Sequence, residues 1–247
     1  MYRLISANLS RLRLTSSFWM TIAFMVLLES FLGILILGQE SIRMDILLFM
    51  SLQIIGIVTS VFLSLFLGTE YNDGTIRNKI VVGHKRSHIY LASLVTAITA
   101  ITIVYFAWFV TGGLFILFTQ ASIDSPIGQI VLAGLVGWLA CVLYSAIFTL
   151  IGLLSSSKAK TSIFSILTAF LLLFGGLLCY SLSQPGFLSE LEMAIFQFLL
   201  DVNPFGQTFQ MMAVGTEVLL KLSVYSLLLS IILTGSGMVI FNKKDLK

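Results

Sequence analysis

Six apolar runs, each long enough to cross a bilayer, dominate the chain. A helix needs roughly 20 residues to span the hydrocarbon core. The runs predict spans at Phe18–Leu37, Ile46–Leu67, Ile89–Phe118, Ile127–Leu154, Ser162–Leu182 and Val218–Phe241. A water-soluble domain of 247 residues could not bury a chain that is 58% hydrophobic with a mean hydropathy of +1.05. The expectation is an all-α integral membrane protein forming a single transmembrane domain over residues 1–247. The third run exceeds the bilayer, so it must tilt, kink near Gly112-Gly113 or project beyond the membrane.

The charges give the runs a direction. Arg3, Arg11 and Arg13 precede the first run, Arg77, Lys79, Lys85 and Arg86 follow the second, Lys158 and Lys160 follow the fourth, and Lys243, Lys244 and Lys247 follow the sixth. That is twelve of the fourteen basic residues on one side, with only Arg43 and Lys221 on the other. The positive-inside rule then predicts a multi-pass protein with both termini in the cytoplasm, which an even number of spans also requires. The opposite side is acidic, carrying Glu40, Asp45, Asp124, Glu190, Glu192, Asp201 and Glu217. The net charge of +3 is explained by headgroups and topology, so no nucleic-acid partner is implied.

The segments between runs carry patterns of their own. Ile5, Leu9 and Leu12 share a helical face in the Arg-rich N-terminal segment, as in an amphipathic helix lying among lipid headgroups. No A-x-A-like site follows the first run, which argues against a signal peptide. Glu70–His88 opens at Asn72 or Asp73, either of which can cap a helix, continues through Gly74 and Thr75 into a short run Ile76–Val82, and stops at Gly83. On the acidic side, Leu188, Leu191, Ile195, Phe198 and Leu199 recur at helical spacing, and Asn203-Pro204 can start a second short helix through Met212. Two short helices dipping into the outer leaflet are expected between spans five and six.

Chemistry-bearing motifs are few. The chain has no G-x-x-x-x-G-K-[ST], no G-x-S-x-G and no H-E-x-x-H, so it is not expected to be an enzyme or to bind ATP itself. His84 and His88 are four apart but lie in a basic turn with no carboxylate between them, which disfavours a cation site. Cys141 and Cys179 lie inside apolar runs and read as packing residues rather than a disulfide or metal pair. Glu29 is the one acid well inside a run. It either lines a substrate path or packs as a hydrogen-bonded group against Ser, Thr or Gln of another span, for example Gln53. Glu70 either pairs with a base of its loop or of the N-terminal helix, or is a solvated interfacial acid.

The order of these elements resembles the membrane subunits of ABC-2-type transporters. The resemblance rests on the amphipathic N-terminal helix, the six spans, Glu70-Tyr71-Asn72-Asp73-Gly74-Thr75-Ile76-Arg77-Asn78-Lys79, Lys85-Arg86-Ser87 before span three, the helical outer loop, and the tail Phe241-Asn242-Lys243-Lys244-Asp245-Leu246-Lys247. The chain departs from many members in reading Leu91-Ala92-Ser93 where they carry a lysine. The resemblance implies a permease subunit in a bacterial cell membrane, dimeric with a second copy or a related chain. ATP and Mg would bind a separate cytoplasmic ATPase. A coupling helix centred on Thr75–Val82 would dock that ATPase, with Asp73, Gly74, Thr75, Ile76, Arg77, Asn78, Lys79, Ile80, Val81 and Val82 as its residues. Glu29 would lie near the dimer axis, on the translocation path. Short loops resemble the members that export amphipathic peptides, such as phenol-soluble modulins and bacteriocins, or drugs. The alternative from another class is an ATP-independent secondary transporter or channel.

Overall fold

The computed structural model describes residues 1–36, 49, 51–119, 126–155, 157–186, 188–211 and 215–244. The expected start of span two at Ile46, the charges Glu40, Arg43, Asp45 and Asp124, the helix end at Met212 and the tail from Asp245 lie outside the described residues. Among the described residues there are ten α-helices and no strand: α1 (Tyr2–Leu14), α2 (Ser16–Ile36), α3 (Ile55–Asn72), α4 (Thr75–Val81), α5 (Arg86–Thr119), α6 (Ile127–Leu154), α7 (Lys158–Ser183), α8 (Glu190–Val202), α9 (Pro204–Gln210) and α10 (Thr216–Lys243). A 3₁₀ turn, Ser51–Ile54, leads into α3.

Six of these helices are long and apolar enough to cross a membrane: α2, α3 with its 3₁₀ turn, α5, α6, α7 and α10. The expected span order is therefore present, with two shifts. The second helix does not end at Leu67 but continues to Asn72, because Glu70 is buried rather than solvated. α5 starts at Arg86 and stays helical through Gly112 and Gly113 for 34 residues. At 1.5 Å per residue it is about 51 Å long, against about 30 Å of hydrocarbon.

α3 and α6 are the interior helices, with 61% and 56% of their most apolar windows buried, against 17% for α7. Large apolar side chains on α2, α7 and α10, among them Phe24, Phe31, Phe164, Phe174 and Ile231, face outward. That outward face suits hydrocarbon, where apolar exposure carries no penalty. The main core joins α2, α3, α5 and α6 around Phe62, Leu63, Tyr105, Trp108, Tyr144 and Phe148. A second apolar cluster closes the basic end: Leu4 of α1, Ile76 of α4, Ile89 and Tyr90 of α5, Leu153 of α6 and Phe241 of α10.

The N-terminal helix differs from the expected face. It buries Leu4, Asn8 and Leu12, with Ile5 and Leu9 at the margins. Its seam packs on protein, chiefly along α5, and the polar Asn8 joins it because its Oδ1 accepts a hydrogen bond from Lys79 Nζ at 3.0 Å.

On the acidic end α8 and α9 form the expected helix pair. Ser189 and Glu192 make a capping box at the start of α8, and Asn203 Oδ1 accepts from Phe205 N ahead of Pro204 at the start of α9. Leu191, Ile195, Phe198 and Leu199 remain exposed along α8. Asp201, fully buried, receives Gln197 Nε2 at 2.8 Å, Gln210 Nε2 at 3.2 Å and Lys221 Nζ at 2.6 Å, fastening the pair to α10.

Candidate functional site

The Glu70–His88 segment is built by two glycines. α3 ends at Asn72, and Gly74 adopts φ +65°, a left-handed conformation that glycine enters without strain. Gly74 occupies the N-cap of α4, which has no side-chain cap, so neither Asn72 nor Asp73 plays the expected role. The polar look of Asn72 and Asp73 belongs to the end of α3, where the Asp73 amide donates to Thr69 O at 2.9 Å and the Gly74 amide to Tyr71 O at 3.2 Å. Thr75 Oγ1 then donates back to Glu70 O at 3.0 Å, tightening the elbow. At the other end Gly83 has φ +94°. Its amide donates to Ile80 O at 2.9 Å and the next, His84 N, to Lys79 O at 3.1 Å. This is the paired closure of a Schellman motif, and it satisfies carbonyls that a short helix would leave open.

α4 is fixed on one face and free on the other. Ile76 is buried in the basic-end cluster and Ile80 packs at its edge. Lys79 Nζ lies 2.9 Å from Glu70 Oε2, and Arg11 Nη2 of α1 lies 2.7 Å from Glu70 Oε1 as an ion pair. The Arg11 guanidinium also stands 3.9 Å above the Phe66 ring and donates to Phe66 O at 3.2 Å. Glu70 thus ties α1 and α4 to α3. Asp73, Arg77, Asn78, Val81 and Val82 are exposed, Val81 by 79% and Val82 by 76%. Two adjacent exposed valines beside a cation make a small mixed surface on a rigid support.

The base beneath α4 also takes in residues that local patterns do not reveal. Lys244, just after α10, donates from Nζ to Tyr71 Oη at 3.0 Å, Leu153 O at 3.2 Å and Ser155 O at 3.1 Å, and lies 4.6 Å from the Tyr71 ring centroid. Burial holds its ammonium below the usual lysine range. Tyr71 Oη donates to Leu153 O, and Arg86 donates to Asn242 O and Lys244 O. A lysine at a helix C-terminus is the available sequence signal for Lys244, whereas Arg86 opens α5 and gives none; each caps a helix distant in sequence.

Glu29 lies in a separate polar site within the bundle. It is 1% exposed. Ser51 Oγ donates to Oε2, and Trp108 Nε1 donates to the same oxygen at 2.9 Å and to Ser51 Oγ at 2.6 Å. The partner span is correct in kind, but Ser51 and Trp108 replace the anticipated Gln53, since the 3₁₀ turn aims position 51 inward. The carboxyl faces this chain's own interior. His84 and His88 are half-buried, and no group of three or more His, Cys, Asp or Glu gathers among the described residues. Cys141 and Cys179 are both free thiols.

No protein-family model matches the chain, and no curated protein matches it.

Proposed function

We propose that the chain is the membrane-spanning permease subunit of an ATP-driven exporter of the ABC-2 type, with both termini in the cytoplasm and α4 as the docking helix for a separate ATPase. One observation carries the reading: a seven-residue helix, bracketed by two left-handed glycines, is pinned underneath by Ile76 and the Lys79–Glu70 pair while Val81 and Val82 stand exposed. A contact meant to transmit force needs such a support, and a loose connector would absorb the motion. The absence of a phosphate-binding loop from the sequence agrees with ATP and Mg acting on the partner subunit. In the sequence, twelve of the fourteen basic residues fall in the segments of one side, which supports placing that side in the cytoplasm.

The groove walls support an amphipathic substrate. An apolar groove of about 360 Å³ opens between α2 and α3, lined by Met20, Phe24, Ile57, Val58, Val61 and Phe62 with Ser17 and Thr21 at its margin. A surface of that kind suits an amphipathic peptide or drug better than a sugar. Transport needs a second permease chain, identical or related, to complete the pathway.

The test is purification of the tagged chain from its native membrane in mild detergent. A stoichiometric P-loop ATPase in the preparation supports the reading. Its reproducible absence from an intact, folded preparation overturns it in favour of an ATP-independent transporter.

A further inference from the structure

The tail after α10 does more than end the chain. Lys244 is the meeting point of two segments far apart in sequence: the last turn of α3 through Tyr71, and the C-terminal end of α6 through Leu153 and Ser155. Its own backbone is held in turn, because Arg86, the first residue of α5, donates to Asn242 O and Lys244 O. One helical turn earlier Phe241 is fully buried in the cluster that also holds Ile76, the single buried residue of α4. Its ring centroid lies 6.2 Å from that of Tyr90. The elbow between α3 and α4 is therefore bonded to the α6 terminus twice, directly from Tyr71 Oη to Leu153 O and through Lys244 of the tail, which grips both groups.

We propose that Lys244 is a positioning residue that makes α4 and the ends of α6 and α10 one mechanical unit, so that displacement of α4 reaches the second half of the bundle. The assignment rests on the docking role of α4 for the origin of the motion, while the physical linkage stands on this chain alone. The chemistry calls for a cation with several N–H donors. Three acceptors converge on Nζ, two of them carbonyls at or just beyond the α6 terminus, where the helix dipole favours a cation. Leu153 lies in the last turn of α6 and Ser155 is its C-cap, so one cation holds the helix end where the chain turns toward α7. Glu70 and Arg11 hold α4 from the α1 side, and Lys244 holds its elbow from the α6 side.

Hydrogen exchange of the full chain in lipid nanodiscs tests the linkage. Lys244→Met keeps the stem and removes the charge. Amides of α4 and of the α6 terminus should both exchange about tenfold faster, the scale of losing a charged hydrogen bond. Lys244→Arg should restore protection in both segments, which a purely steric role of the stem would not require. Tyr71→Phe, a milder change, should loosen the same two segments to a smaller extent. Faster exchange confined to residues 240–244 in all three variants overturns the proposal. With the ATPase bound, a non-hydrolysable ATP analogue should alter exchange in α4, α6 and α10 of the native complex, and in Lys244→Met only in α4. An unaltered α6 and α10 response in that variant overturns it as well. If no ATPase co-purifies, the docking reading falls, while exchange on the chain alone still decides the role of Lys244.

Discussion

The Lys79 ammonium on α4 lies 2.9 Å from the Glu70 carboxylate at the end of α3, and none of that carboxylate is exposed. With Arg11 at 2.7 Å on the other oxygen, one acid from a helix long and apolar enough to span a membrane holds two shorter helices. Breaking a buried pair leaves the surviving charges without compensation. Glu70→Gln should therefore lower stability by about 2–3 kcal/mol, the low end of the buried-pair range because both cations are partly exposed. The expected signature is a lower melting temperature, with α1 and α4 losing amide protection before the spans do.

Val81 and Val82 separate docking from folding. Val81→Asp or Val82→Asp should change stability by no more than about 0.5 kcal/mol, since both are surface positions, yet remove the ATPase from the purified complex. Ile76→Asp should instead destabilise the basic end, because it places a charge in an apolar cluster. Ile80 is a poorer probe than Val81, since it packs at the edge of that cluster and would mix both effects. Retention of a stoichiometric ATPase by Val81→Asp would count against the docking role of α4.

Gly206 sets how closely α9 folds back on α8. A methyl group at this position would sit 2.1 Å from the backbone oxygen of Leu200, an atom that a side-chain rotation cannot move. Gly206→Ala should cost about 2 kcal/mol or more, at the upper part of the overpacking range. Thermal unfolding should show the loss, and exchange should localise it to the α8–α9 junction and the Asp201–Lys221 contact.

The start of α8 should respond to acid. Ser189 Oγ and Ser189 N both donate to Glu192 Oε2, at 2.7 and 2.9 Å, and these bonds hold the carboxyl below its ordinary value of 4.5. A depressed folded value means that the capping box contributes fully above about 4.5 and is lost as pH falls through the lower folded value. Relative to the intrinsic rate at each pH, amide protection in the first turn of α8 should fall over that interval, and in Glu192→Ala it should be low at neutral pH and stay low on acidification.

Patterns along the chain reveal the elements better than their joints. Run length and hydropathy suffice for six spans, and Gly83 and Asn203-Pro204 mark helix ends by chemistry that acts within a few residues. The end of α3 escapes that logic. Gly68, Thr69, Glu70 and Tyr71 look like a loop, and become helix because Arg11 and Lys79 arrive from elsewhere to neutralise Glu70. The buried face of α1 is hidden in the same manner, since Asn8 is polar by type and interior by virtue of Lys79. Glu29 announces a buried polar site by its depth in a run, but its partners depend on a 3₁₀ turn that presents Ser51 instead of Gln53. Lys244 resembles any tail lysine until α6 is placed against it.

The basic-end cluster has a further meaning for biosynthesis. Leu4 and Phe241 share one apolar cluster beneath Ile76 although 236 residues separate them. A nascent chain can form α4 on Glu70 and Ile89 before Phe241 and Lys244 have left the ribosome. The support beneath α4 is thus completed last, and a polypeptide stalled before residue 241 would hold that helix by the α1, α3 and α5 side alone.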